Sequence, residues 1–271
     1  MPFKSAPPPH LRAEGSVPQM MWTVVLALLP AVLASLIFFR FNALRILTVA
    51  ALSAVLAETA FQKILGKGQR AYDGSAVITA ILFALLLPPT IPSWMVALGA
   101  FFSIGMGKEI FGGLGQNPFN PALVGAAFLL VSFPSLRGLF VFPLGETEFW
   151  IFLAAIFLGG IFLGLKQLIP WEIPFLYLGA FFVCFVPVLR DGDVVFLIPV
   201  FLAAFFMVTD PATLPLARPA RRWFALGAGM LTAFLSRGLN VVEGAACGIL
   251  LMNALSPALD RWCRLNFVRP R

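Results

Sequence analysis

Charge is scarce in this chain. Only 11% of its 271 residues are Asp, Glu, Lys or Arg, and 60% are apolar. Soluble domains carry about a quarter charged residues, so an ordinary water-soluble globule is excluded. Histidine occurs once, as His10, which rules out a haem held between paired histidines. Cysteine occurs three times, as Cys184, Cys247 and Cys263, with no Cys-x-x-Cys spacing. An iron–sulfur cluster takes about four thiolate ligands, so this chain alone does not build one. Buried structural thiols are the plain reading. No small-residue cleavage site precedes the first long apolar run, which starts at Met21. That run is expected to be retained as a span rather than removed as a signal peptide.

Hydrocarbon is what the chain has. Phe alone occurs 29 times. Ten apolar segments can be drawn, roughly 22–39, 44–62, 75–87, 94–111, 120–133, 149–165, 173–189, 194–208, 222–236 and 243–260. Crossing a bilayer takes roughly 20 residues. The third and fifth segments fall well short and read as half-helices or tilted spans beside a re-entrant turn. The expected fold is an all-α integral membrane protein of about ten transmembrane helices. The paired phenylalanines, such as Phe38-Phe39 and Phe205-Phe206, read as lipid-facing or packing residues. The six tryptophans fall near segment ends, where interface anchors belong.

The net charge of +7 would suggest nucleic acid in a soluble protein. In a membrane protein it reads as positive-inside asymmetry, with no nucleic-acid partner. With the N-terminus in the cytoplasm, only Arg40, Arg45, Arg137, Arg190 and Arg237 fall on the far side, out of 19 basic residues. Both termini are then cytoplasmic.

An internal repeat accompanies this pattern. A shift of 123 residues carries Pro88-Pro89-Thr90 onto Pro211-Ala212-Thr213, Pro92 onto Pro215, Asn117 onto Asn240, Ala122 onto Ala245 and Gly125 onto Gly248. Five segments overlay five. An odd number per half requires the halves to insert in opposite directions, and inverted repeats put their special site between the halves near the midplane. The expected division is a tail over 1–21, a first repeat over 22–133, a connection over 134–148, a second repeat over 149–260 and a basic C-terminus over 261–271.

The polar stretch Gly112-Gly113-Leu114-Gly115-Gln116-Asn117-Pro118-Phe119-Asn120-Pro121 interrupts this hydrocarbon. Irregular backbone at membrane depth survives only against protein or a water-filled cavity. Asn120-Pro121 has the form of an N-cap followed by proline at the first helical position. The break therefore ends at a helix N-terminus, where free N–H groups favour a phosphate, carboxylate or polarised carbonyl. The bland alternative is a capped connector with glycines for close packing. Asp73 or Ser75 can cap the third segment, as an interface cap or as a polar wall of the same site. Leu87-Pro88-Pro89 ends that segment, and Thr209-Asp210-Pro211 is the counterpart of that ending in the second half; an acid beside a long apolar run usually has a role. Glu58 and Glu243 are weaker cases. Lys108-Glu109 reads as a locally neutralised pair without chemistry.

These motifs resemble one family over nearly the whole chain: the D subunit of the Rnf ferredoxin:NAD oxidoreductase complex, joined with the B subunit of the sodium-pumping NADH:quinone oxidoreductase. The resemblance runs through Pro9-His10-Leu11-Arg12, Ala27-Leu28-Leu29-Pro30-Ala31, Asp73-Gly74-Ser75-Ala76, Leu87-Pro88-Pro89, the stretch from Gly112 to Gly125, Thr209-Asp210-Pro211, Glu243-Gly244 and Leu250-Leu251-Met252-Asn253-Ala254. The Gly-Gln-Asn-Pro-Phe-Asn-Pro-Ala run is its most specific part, and the likeness is closer to the Rnf member. The resemblance implies electron transfer through flavin, coupled to sodium or proton movement. It implies other membrane and peripheral subunits, including iron–sulfur and flavin subunits, as partners beside the lipid bilayer. It implies a bacterial or archaeal cytoplasmic membrane.

Family members carry FMN on a threonine of a Ser-Gly-Ala-Thr-like motif and also hold riboflavin without a covalent bond. The corresponding stretch here, 132–147, has no Gly-Ala-Thr, and Thr147 is its only threonine. Covalent FMN is therefore not expected. A flavin, FMN or riboflavin, is expected non-covalently, near Asp73, Ser75, Gly113, Gly115, Asn117, Asn120, Thr209 and Asp210. No catalytic residue and no metal ligand is assigned. The alternatives are a channel or secondary transporter for a small solute, which inverted repeats with broken helices also build, and a cofactor-free scaffold subunit.

Overall fold

The structure, a computed structural model, describes residues 17–68, 73–139, 144–185 and 197–267. The N-terminal tail with Lys4, His10 and Arg12, part of the connection between the halves, and Arg70, Arg190, Arg269 and Arg271 lie outside the described residues.

The regular structure of the described residues is helical, in the order α1 (Val17–Ile64), α2 (Ser75–Leu86), α3 (Ser93–Gly105), α4 (Pro121–Ser132), α5 (Glu146–Leu165), α6 (Glu172–Phe185), α7 (Ile198–Phe206), α8 (Arg218–Leu235) and α9 (Val241–Phe267). Short 3-10 turns occupy Glu109–Phe111 and Pro134–Leu139. Among the described residues, four helical stretches are long and apolar enough to cross a membrane: Val17–Ile64, Ser93–Phe111, Glu146–Leu165 and Val241–Asn266. Large apolar side chains such as Leu33, Ile37, Leu52, Leu56, Val131 and Phe234 are exposed on the helices. In water such a surface would aggregate; against lipid it is the expected exterior. The chain is an all-helical, multi-pass integral membrane protein.

The first two apolar segments form one helix interrupted at Arg40, whose backbone leaves the helical region at φ 47 and ψ −122. Each arm is about 23 residues, or ~35 Å at ~1.5 Å per residue, enough to cross a ~30 Å hydrocarbon core. Near the start of the second arm, Arg45 donates to Ser93 Oγ at 3.1 Å and to the Pro89 carbonyl at 3.2 Å. This anchors the turn between α2 and α3.

The short segments are short helices. α2 and α4 have 12 residues each, about 18 Å. α2 stops at Leu86 because Leu87 turns extended ahead of Pro88, where a proline removes a donor and blocks the next turn. Neither Asp73 nor Ser75 is the N-cap of α2. That position is Gly74, at φ 86, with no side-chain cap bond. Asp73 instead accepts from the Ser75 N–H at 2.8 Å and the Ser75 hydroxyl at 2.5 Å, an Asx turn one residue earlier. The ends also extend further than the apolar pattern. α1 begins inside the expected tail, and α9 carries helix to Phe267, through Pro257 and into the basic C-terminus.

α1 packs on α2, α3 and α5; α4 packs on α2, α3 and α9; α8 packs on α6 and α9; α7 packs on α5, α6 and α9 and touches α2. The crossing of α1 with α5 is a backbone contact. A Cβ on Gly159 would lie 2.0 Å from the Ala27 carbonyl oxygen. Gly159→Val therefore forces the helices apart at a buried crossing. Overpacking costs typically about 1–3 kcal/mol. The expected result is a clear drop in the midpoint of thermal unfolding in detergent, whereas Gly179→Ala, in open space, leaves it unchanged.

Candidate functional site

A cavity of about 1020 Å3 opens where the broken segments of the two halves meet. Its walls come from Ile78, Thr79 and Leu82 on α2, Phe205 and Phe206 on α7, Leu163 on α5 and Met20, Met21 and Val24 on α1. Its polar part comes from Asp73, Ser75, Lys108, Gly115, Asn117, Asn120, Thr209 and Asp210. Of the eight residues expected at the site, the structure brings seven to this cavity. Gly113 is the exception. It takes φ 103 and lies near the Glu109 carboxylate, away from the lining.

The polar break is a folded loop held by its own side chains. Gly112, Gly113 and Gly115 all take positive φ, between 81 and 124, conformations that glycine adopts without strain. Asn117 ties the loop: its Oδ1 accepts from the Gly115 N–H at 3.2 Å and its Nδ2 donates to the Phe119 carbonyl at 3.1 Å. Asn120 is the N-cap of α4, accepting from Ala122 N–H at 3.1 Å and Leu123 N–H at 3.3 Å, with Pro121 in the first helical position. This is the arrangement the sequence led us to expect.

Two connections hold this loop to the second half. Asn120 Nδ2 lies 3.5 Å from Asp210 Oδ2, and the Asn120 backbone N–H donates to Asn253 Oδ1 on α9 at 3.2 Å. Asn253 is buried, and its Nδ2 has no hydrogen-bond partner among the described residues. Asp210 also caps its own turn, accepting from the Ala212 N–H at 3.0 Å, while Thr209 bonds back to the Phe205 carbonyl at 2.6 Å. The Asn253 contact lies in the Leu-Leu-Met-Asn-Ala stretch, but nothing in the sequence pairs it with a residue 133 positions away.

The adjacent Lys108 and Glu109 do not neutralise each other. Neighbouring residues do not face one another on a helical turn, and these two go to different partners. Glu109 takes Lys67, at 3.2 Å to Oε2, and Gln62. Lys108 pairs with Glu58 Oε1 and donates to Ser75 Oγ at 2.5 Å. Glu58 is 0% exposed and Lys108 2% exposed, both within the apolar part of the fold. Glu58 thus has the buried position that an acid in an apolar span rarely takes without a role, and the sequence pattern alone undervalues it.

The lining suits a small molecule with an apolar body and a polar edge. Pockets for small molecules run about 300–1,000 Å3, with mostly apolar walls and a few placed polar groups. Here aliphatic and aromatic walls meet amide, hydroxyl and ammonium groups together with the Asp73 and Asp210 carboxylates. Among the described residues no cluster of His, Cys, Asp or Glu could hold a metal.

Comparison with known proteins gives a consistent answer. The model of the NQR2, RnfD, RnfE family matches residues 4–144 and 137–268. A relative from Clostridium ljungdahlii, the D subunit of a proton-translocating ferredoxin:NAD(+) oxidoreductase complex, is 33% identical, covering 96% of this chain and 94% of its own. One from Acetobacterium woodii, the D subunit of a Na(+)-translocating ferredoxin:NAD(+) oxidoreductase complex, is 32% identical over 94% and 92%. One from Methanosarcina acetivorans, the D subunit of an ion-translocating oxidoreductase complex, is 31% identical over 95% and 94%. The chain belongs to the NQR2, RnfD, RnfE family.

Proposed function

We propose that this chain is the D-type membrane subunit of an ion-translocating ferredoxin:NAD oxidoreductase complex, and that it carries a non-covalent flavin between its two halves. The carrying observation is the cavity in which the Asn117–Asn120 break and the Thr209–Asp210 turn face each other, in a chain of this family. A flavin would be held by Asn117, Asn120 and Thr209 at its polar edge and by Leu82, Phe205 and Phe206 against its faces. When bound, it supplies one-electron chemistry. The chain's own contribution is to bind it, orient it, exclude water and set the surrounding charge. Iron–sulfur and further flavin centres belong to partner subunits, since this chain has too few cysteines for a cluster. The cytoplasmic membrane and cytoplasmic termini are part of the same proposal.

Packing supports the inverted-repeat reading. Under a two-fold relation α1 (first arm) corresponds to α5, α2 to α7 and α4 to α9, and each of these pairs meets across the halves. Contacts within the halves also correspond: α3 with α4 as α8 with α9, and α2 with α4 as α7 with α9. Both α4 and α9 start at an asparagine cap. Asn240 Oδ1 accepts from the Glu243 N–H at 2.8 Å, as Asn120 does from the first turn of α4. The caps are 120 residues apart, so the register slips by three from the 123-residue shift at this point.

The test is deletion of the gene in its host. Membranes should lose ferredoxin-dependent NAD reduction and regain it with the gene supplied in trans. Unchanged electron transfer would contradict the assignment.

A further inference from the structure

Among the described residues, the cation at the cavity wall is Lys108. In a membrane interior a lysine ammonium is costly unless it is paired. This one is paired from behind, on the side away from the cavity, by Glu58 of α1. It is held from the front by Ser75 Oγ at 2.5 Å, which in turn is bonded to Asp73. An ammonium has three N–H donors, and these two partners use two of them. Lys108 lines the cavity, whereas Glu58 does not. Glu58 is wholly buried, and its Oε2 has no hydrogen-bond partner among the described residues. The pair is therefore a dipole with its positive end at the cavity wall. The other charged groups near the pair are Asp73 and Glu109, and Glu109 is itself held by Lys67.

A structural salt bridge would serve as well with both carboxylate oxygens satisfied and the lysine turned into protein. The geometry points to another role: we infer that Lys108 is the electrostatic residue of the cavity. It stabilises the negative charge that a reducible ring gains when it accepts one electron, with Glu58 keeping the amine charged and Ser75 aiming it. This inference rests on the flavin reading. It adds the residue that sets how readily the ring is reduced. No bond forms or breaks in the chain; one electron arrives from the donor protein of the complex and leaves toward the acceptor.

The test uses the full chain in lipid nanodiscs, reconstituted with riboflavin and titrated electrochemically. Lys108→Gln alone strands Glu58, and Glu58→Gln alone strands Lys108 and removes the partner that keeps it charged, so the comparison is the unmodified chain against Glu58→Gln/Lys108→Gln, which removes the whole dipole. At a fixed potential the reduced:oxidised ratio should be at least tenfold lower in the double variant, a shift of about 59 mV for a one-electron couple. Ratios within twofold of each other, in variants that retain riboflavin, would overturn the inference and leave the flavin reading intact. An unmodified chain that binds no riboflavin would overturn both.

Discussion

Replacing Asn117 and Asn120 together by leucine is expected to empty the cavity of flavin. Asn120 caps α4 through two backbone N–H groups and joins the break to Asp210 and, by its backbone, to Asn253. Loss of an N-cap costs about 1 kcal/mol, which a protein of this size survives. Loss of the loop's shape is the larger consequence. Asn117 is what closes the turn between Gly115 and Phe119, and leucine can make neither bond. The polar edge of the cavity, which includes Gly115, Asn117 and Asn120, is then rearranged. Flavin content after gentle purification should fall about tenfold or more while the chain still inserts and still elutes as a folded species. Full flavin content in a folded double variant would put the cofactor elsewhere.

The second large effect is on stability. Lys108→Met leaves the Glu58 carboxylate buried without a counter-charge. Breaking a buried pair from one side costs about 3–5 kcal/mol, a large part of the ~5–15 kcal/mol that holds a typical protein folded. Replacing both partners by neutral residues of similar size costs little by the same argument. Lys108→Met should therefore show a much lower thermal midpoint in detergent, or fail to accumulate, and Glu58→Gln/Lys108→Met should recover most of it. Arg222 is the control. Its pair with Glu172 is exposed on both sides, where water screens the charge, and Arg222→Met should shift the midpoint far less. Equal loss in all three variants would argue against a buried, coupled pair.

Much of this arrangement is legible in the sequence. Helices and their ends follow from local rules. Pro88 stops α2, Asn120-Pro121 starts α4, and apolar runs of 12 residues become helices too short to cross. The break at 112–120 stands out because its composition is wrong for hydrocarbon, and the glycines there do take positive φ. The 123-residue shift puts Thr209-Asp210 on Leu86-Leu87, at the end of α2 away from the break, so the shift alone does not bring Thr209-Asp210 to the cavity. What the sequence hides is side-chain partnering across long separations. Lys108 and Glu109 look like a neutral couple because they are adjacent, yet adjacency on a tight turn sends side chains apart. Their partners, Glu58 and Lys67, lie 50 and 42 positions upstream. Asn253 is hidden for the same reason. The cap of α2 differs for a smaller cause: Asp73 bonds Ser75 within its own turn, so it bends the chain before the helix instead of capping it.

The most direct measurement is an absorbance spectrum of the purified chain, followed by denaturation and in-gel fluorescence. The account predicts a yellow protein that releases its flavin when denatured, leaving a non-fluorescent band. Fluorescence retained on the denatured band would contradict the non-covalent assignment. A colourless chain, purified gently with its partner subunits, would contradict the flavin cavity itself.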